Sequence, residues 1–149
     1  MNRSGMIAVA MLGVSIGVAA DAEPLIADTM IVDQGLSTPL SATEGNALLG
    51  EIAFVDRNAG HCVLCHQVSR LDAPFQGNVG PALDGIGSTY SEAELRLRVA
   101  QIRRVYPDSI MPDYYRVEGL HQVGAEWRGE PALSAQQIED IVAFLTTLN

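Results

Sequence analysis

The chain has 149 residues, with 18 acidic side chains against nine basic ones and a formal net charge of −9. All nine basic residues are Arg, which argues against nucleic acid or an anionic membrane surface as a partner and against docking through a ring of lysines. Three Phe, four Tyr and one Trp are few large apolar groups for one domain, so a non-protein group is expected to fill part of the core.

The N-terminus carries Asn2-Arg3 and then an uncharged run from Met6 to Val18. This predicts a secretory signal peptide over residues 1–20. The run of about 13 residues is too short to span a bilayer, which disfavours an uncleaved anchor. Small residues in Val18-Ala19-Ala20 and Ala20-Asp21-Ala22 fit cleavage after Ala20 or Ala22. What remains is an exported chain of 127 to 129 residues, one domain with no membrane span.

Residues 21–43 carry Pro24, Gly35 and Pro39 and no sustained helical period, which reads as an extended arm. Its apolar Met30-Ile31-Val32 suits a partner contact or a strand-like wrap; a floppy leader is the alternative. Helical periodicity starts near Glu44, with Leu48, Leu49, Ile52 and Val55 recurring up to Arg57, and Gly50 and Phe54 i, i+4 on one side.

His61-Cys62-Val63-Leu64-Cys65-His66 follows, holding both cysteines and two of three histidines. Cys62, Cys65 and His66 form C-x-x-C-H, the pattern that attaches haem c. One tight turn presents both sulfurs to the vinyl groups of one porphyrin edge, and the next residue offers imidazole to iron. A structural zinc site needs four protein ligands, and no second Cys or Cys/His pair exists. A thioredoxin-like redox pair leaves His66 unexplained and lacks a βαβ setting. One haem c, held by Cys62 and Cys65, also supplies the missing core volume, and its attachment outside the bacterial cytoplasm agrees with export.

Ser69 to Val79 reads as loop, and Gly80-Pro81-Ala82-Leu83-Asp84-Gly85-Ile86-Gly87 as a glycine-rich wrap without regular structure. Ser91 with Glu94 predicts a capping box, and Leu95, Val99, Ile102 and Val105 then repeat on one face. Arg96, Arg103 and Arg104 are expected on the outer surface, as a solvated face or a docking patch. Pro107 ends the helix. Ser134 with Gln137 caps a final helix bearing Ile138, Ile141, Val142, Leu145 and Leu148.

Beyond the signal, the candidates for the sixth iron position are Met30, Met111 and His121, since His61 is tied to the proximal side by Cys62. Met111 is preferred, because it lies in a Pro-bounded loop about 45 residues after His66, beyond one helix that can carry the chain around the haem. The competing role is a gap-filling core methionine.

Gly50 with Phe54, C-V-L-C-H, G-P-A-L-D-G, a loop Met-Pro and a capped last helix bearing Phe144 together resemble class I cytochromes c. The resemblance implies a mainly α, class I cytochrome c-like fold over residues 44–149 around one covalent haem, with an irregular N-terminal arm. It further implies that first and last helices cross at Gly50 and that the Pro81 carbonyl accepts a hydrogen bond from His66, fixing its orientation. The link between Phe54 and Cys62 is longer than that family's.

F-Q-G-N-V-G-P-A-L-D-G-I-G from Phe75, Y-S-E-A-E-L-R-L-R-V from Tyr90, I-M-P-D-Y-Y-R-V from Ile110 and R-G-E-P-A-L-S-A-Q-Q-I-E-D-I-V-A-F-L from Arg128 are similar to the SoxX family. This resemblance implies a periplasmic heterodimer with a larger SoxA-like cytochrome subunit, which oxidatively joins thiosulfate to a cysteine of a sulfur-carrier protein. The present chain would pass electrons to a soluble cytochrome c. With both cysteines spent on thioethers no thiol remains for a sulfur intermediate, and no catalytic residue stands out. The alternative from another class is a free-standing electron carrier.

Overall fold

The computed structural model describes residues 25–149. The signal-peptide reading of residues 1–20, with cleavage after Ala20 or Ala22, lies outside the described residues. Four helices build the body: α1 (Ala47–Val55), α2 (Ile86–Thr89), α3 (Glu92–Gln101) and α4 (Ala135–Leu145). Each of the three longer ones starts on a side-chain cap. Asn46 accepts from the Leu48 and Leu49 amides, and Ser91 with Glu94 and Ser134 with Gln137 close reciprocal capping boxes.

The frame is the packing of α1 on α4. A Cβ at Gly50 would lie 1.8 Å from the Asp140 carbonyl oxygen, so the two backbones meet where only glycine fits. One turn on, Phe54 and Phe144 pack with ring centroids 5.3 Å apart and planes tilted by 54°, a geometry that contributes about 1 kcal/mol beyond its burial. Both rings are buried, as are Ile138, Ile141, Val142, Leu145 and Leu148.

The close approach also decides which side of α1 faces inward. Leu48, Leu49 and Ile52, which recur at helical spacing, are exposed, while Gly50, Ala53 and Phe54 are buried. Branched side chains would hold α4 away, so the small-residue side packs and the leucines face outward.

On α3, Leu95, Val99 and Ile102 are buried as the period predicts. Arg96 is a correction: it is not on the outer surface but 2% exposed, paired with Glu139 on α4. Arg103 and Arg104 do lie outside, paired with Asp113 and Asp28. The helix tightens into a 3-10 turn at Ile102–Arg104 before Pro107.

The arm is docked rather than floppy. A short antiparallel hairpin, β1 (Ile31–Val32) and β2 (Gly35–Leu36), pairs Ile31 with Leu36 and packs on α3, with Ile26 and Leu36 fully buried. The glycine-rich stretch is not wholly irregular either. Gly85, at φ +79°, turns the chain into α2, and the Gly87 amide donates to the Leu148 carbonyl, fastening this segment to the C-terminus. Among the described residues, no helix is long and apolar enough to cross a membrane.

Candidate functional site

The C-terminal end of α1 grips the cysteine motif. The Ala53 carbonyl accepts from the Gly60 amide at 3.0 Å, and the Asp56 carbonyl accepts from Ala59 and His61. These bonds fold the long Phe54–Cys62 link into a compact turn. His61 takes a left-handed conformation, φ +44°, and Cys62–Leu64 then forms a single 3-10 turn. The Cys62 carbonyl accepts from both the Cys65 and the His66 amides, at 3.1 and 2.9 Å, so both thiols and the imidazole issue from one tightly bonded turn.

The two cysteines are not bridged to each other. Burial pushes the pKa of the Cys62 thiol up to about 12. Among the described residues, no three His, Cys, Asp or Glu side chains are grouped to hold a metal ion by themselves, which leaves tetrahedral zinc without its ligands.

His66 Nδ1 lies 2.8 Å from the Pro81 carbonyl oxygen. A carbonyl only accepts, so Nδ1 carries the proton and Nε2 keeps its lone pair for a metal. The loop that delivers Pro81 is fastened along the motif: the Gly77 amide donates to Val63 and the Gly80 amide to Cys65, both at 2.8 Å. Gly80 lies flat under the imidazole, for a Cβ there would stand 2.3 Å from His66 Cε1. Gln76 braces the same loop, accepting from the Val68 amide and donating to the Leu71 carbonyl.

Met111 is half-buried in the loop between Pro107 and Pro112, its amide donating to Ser109 Oγ. It is not among the half-buried apolar side chains packed on the core, whereas Met30 is. His121 is exposed. The far side of the Met111 loop is held by Tyr114, whose hydroxyl donates to the Gly60 carbonyl at 2.9 Å, two residues before Cys62. Burial and the neighbouring thiols of Cys62 and Cys65 push the Tyr114 phenol up to about 12.

Cys62, Cys65, His66 and Pro81 are thus brought together by direct contacts, while Met111 is joined to that corner through Tyr114. Tyr114, Gly80 and Gln76 were not singled out from the sequence, although each lies within a motif stretch quoted above. The donor set suits a haem c: two uncommitted thiols on one turn, and an imidazole oriented by a backbone carbonyl with its metal-binding nitrogen free.

Comparison with known proteins identifies the family. The family model described as cytochrome c matches residues 47–149. Among solved structures, a chain in the crystal structure of SoxXA from P. pantotrophus is similar, with a TM-score of 0.74 and 37% sequence identity over 79% of this chain and 92% of that one. No curated protein matches the sequence.

Proposed function

The chain belongs to the cytochrome c family as a SoxX-like member with covalently bound haem c, and from that premise we propose that it is the electron-transfer subunit of a two-subunit, periplasmic thiosulfate-oxidising complex. Its partner is a larger SoxA-like cytochrome, and the complex joins thiosulfate to a cysteine of a sulfur-carrier protein. The observation that carries this reading is the 37% identity over nearly the whole of a chain from SoxXA.

When bound, haem supplies a reversible one-electron change at iron. Cys62 and Cys65 would hold it as thioethers, and His66 would ligate through Nε2 while Nδ1 donates to Pro81, a contact that stops the ring rotating and raises its basicity. Met111 would offer iron a second ligand, and its soft thioether would favour the reduced state, suiting the chain to accept electrons from the larger subunit. With both cysteines consumed no thiol of this chain remains to hold a sulfur intermediate, so conjugation belongs to the larger subunit and this chain relays electrons to a soluble cytochrome c.

Mixing tests the reading. The mature holoprotein should carry one haem and no free thiol by mass spectrometry. It should support thiosulfate conjugation to carrier protein only when the larger subunit is added. Activity of the isolated chain would overturn the division of roles, and absence of any complex with the larger subunit would favour a free-standing carrier.

A further inference from the structure

Met111 sits on a loop that the chain closes into one unit. Arg103 joins its two ends: the Arg103 amide donates to Asp113 Oδ1 at 3.1 Å and its guanidinium to Asp113 Oδ2 at 3.3 Å, while its Nε donates to the Ser109 carbonyl at 3.2 Å. The Asp113 side chain is buried between Arg103 and a second arginine, Arg116, which also donates to Oδ2. The residues that follow rest on α3, where the Tyr115 amide donates to the Ala100 carbonyl and the Gln101 side chain to the Tyr115 carbonyl, both at 2.9 Å. Between these anchors Tyr114 turns the other way. Its ring packs on the core, and its hydroxyl donates to the Gly60 carbonyl, 54 residues earlier in the chain. Gly60 is itself held: its amide donates to the Ala53 carbonyl at the end of α1, and a Cβ on it would stand 3.0 Å from Cys62 Sγ. The Tyr114 hydroxyl thus joins the Met111 loop to the backbone that carries the attachment turn.

We propose that Tyr114 is a positioning residue for the sixth iron position, a latch whose hydroxyl keeps other ligands from displacing Met111. The inference rests on the reading of Met111 as the second axial ligand and names what holds it there. For an added ligand to take that position, the Met111 loop has to swing away from the attachment turn. Because Arg103 closes the loop at both ends, it moves as one piece, and the swing breaks the bond from Tyr114 to Gly60. A half-buried carbonyl that loses its donor disfavours every such opening. The apparent affinity for the added ligand falls with the fraction of chains that are open. The phenol O–H is the ring's single donor, so exchange for Phe keeps the packing and removes this bond alone.

The test titrates the ferric holoprotein with imidazole. At rest Tyr114→Phe should keep the weak long-wavelength band of sulfur-ligated ferric haem, since Met111 and the packing of the ring are unchanged. It should bind imidazole about two- to tenfold more tightly than the wild type, the range that one net hydrogen bond supplies. Ser91→Ala, which removes the cap at the opposite end of α3, should lower Tm and leave imidazole affinity at the wild-type value. Wild-type affinity in Tyr114→Phe would overturn the latch and leave Met111 as the ligand. Equal tightening in Ser91→Ala would reveal general loosening and overturn the latch as well. A wild type without the sulfur band, whose imidazole affinity Met111→Ala does not change, would overturn Met111 as ligand and the latch with it.

Discussion

Arg96 on α3 and Glu139 on α4 form an ion pair at 2.8 Å with side chains only 2% and 5% exposed, and through it the arm is bound to the body. The Arg96 guanidinium also donates to the Leu36 carbonyl at 2.8 Å and to Glu92, while Glu139 accepts from the Leu40 amide. Burial works against the charge on Arg96, but Glu139 and Glu92 outweigh it and hold its pKa above the ordinary value.

Removing Arg96 leaves the Glu139 charge buried and uncompensated, and removing the Glu139 charge leaves Arg96 buried with only the exposed Glu92 as its partner. Arg96→Met or Glu139→Gln should each cost about 3–5 kcal/mol, whereas Arg96→Met combined with Glu139→Leu should recover much of that loss. Denaturant unfolding of the holoprotein checks this, and additive losses in the double variant would contradict it. Limited proteolysis should show residues 25–40 cleaved faster in either single variant.

This network was invisible in the sequence because its members are far apart. Arg96 sits one position from Leu95 on a helix whose apolar period is complete without it, so periodicity assigns it to solvent, and its partner lies 43 residues away. The C-x-x-C-H turn, by contrast, is local, as are the two capping boxes, and such patterns are written in adjacent residues. Pro81 became legible through a family motif. In α1 the apolar period alone does not mark the inner face: its strongest apolar signal, Leu48, Leu49 and Ile52, lies opposite the face that Gly50 allows closest to α4, and Gly50 became legible through the family motif. Tyr114 carried no signal of its own, since a loop tyrosine reveals nothing about a carbonyl 54 residues earlier.

Gly80→Ala probes the proximal side. The added methyl would stand 2.3 Å from the imidazole, so His66 must turn and its contact with Pro81 must lengthen. Haem should still attach, because Cys62 and Cys65 are unchanged, but the potential should shift, on the order of 50 mV within the ~800 mV that axial ligation spans. Spectroelectrochemistry reads it, and an unchanged potential would mean that the loop, not the imidazole, yields.

The cap of α3 should titrate. Hydrogen bonds from the Ser91 amide and hydroxyl hold the Glu94 carboxyl below its ordinary value of 4.5. A carboxyl lowered on folding stabilises above the unfolded value, and that contribution is lost as pH falls through the folded one. Ser91→Ala should lower Tm by a few degrees at pH 7, and the gap should narrow in acid below 4.5. A gap independent of pH would show that Glu94 contributes nothing through its charge.

At Met111, exchange for His should lower the potential by on the order of 100 mV with the iron still six-coordinate, because imidazole favours ferric iron more than a thioether does. Met111→Ala should open the position, giving a ferric form that binds added imidazole readily. The weak long-wavelength band of sulfur-ligated ferric haem should disappear in both. If Met111→Ala retained that band, Met111 would be a packing residue and Met30 the next candidate.

The most direct test of the central claim follows the haem of this chain by stopped-flow absorbance after thiosulfate and carrier protein are mixed with the oxidised protein. The account predicts rapid reduction when the larger subunit is present and none when it is omitted. Reduction without the larger subunit, or conjugated product forming in the complex while this haem stays oxidised, would contradict its role as the electron outlet.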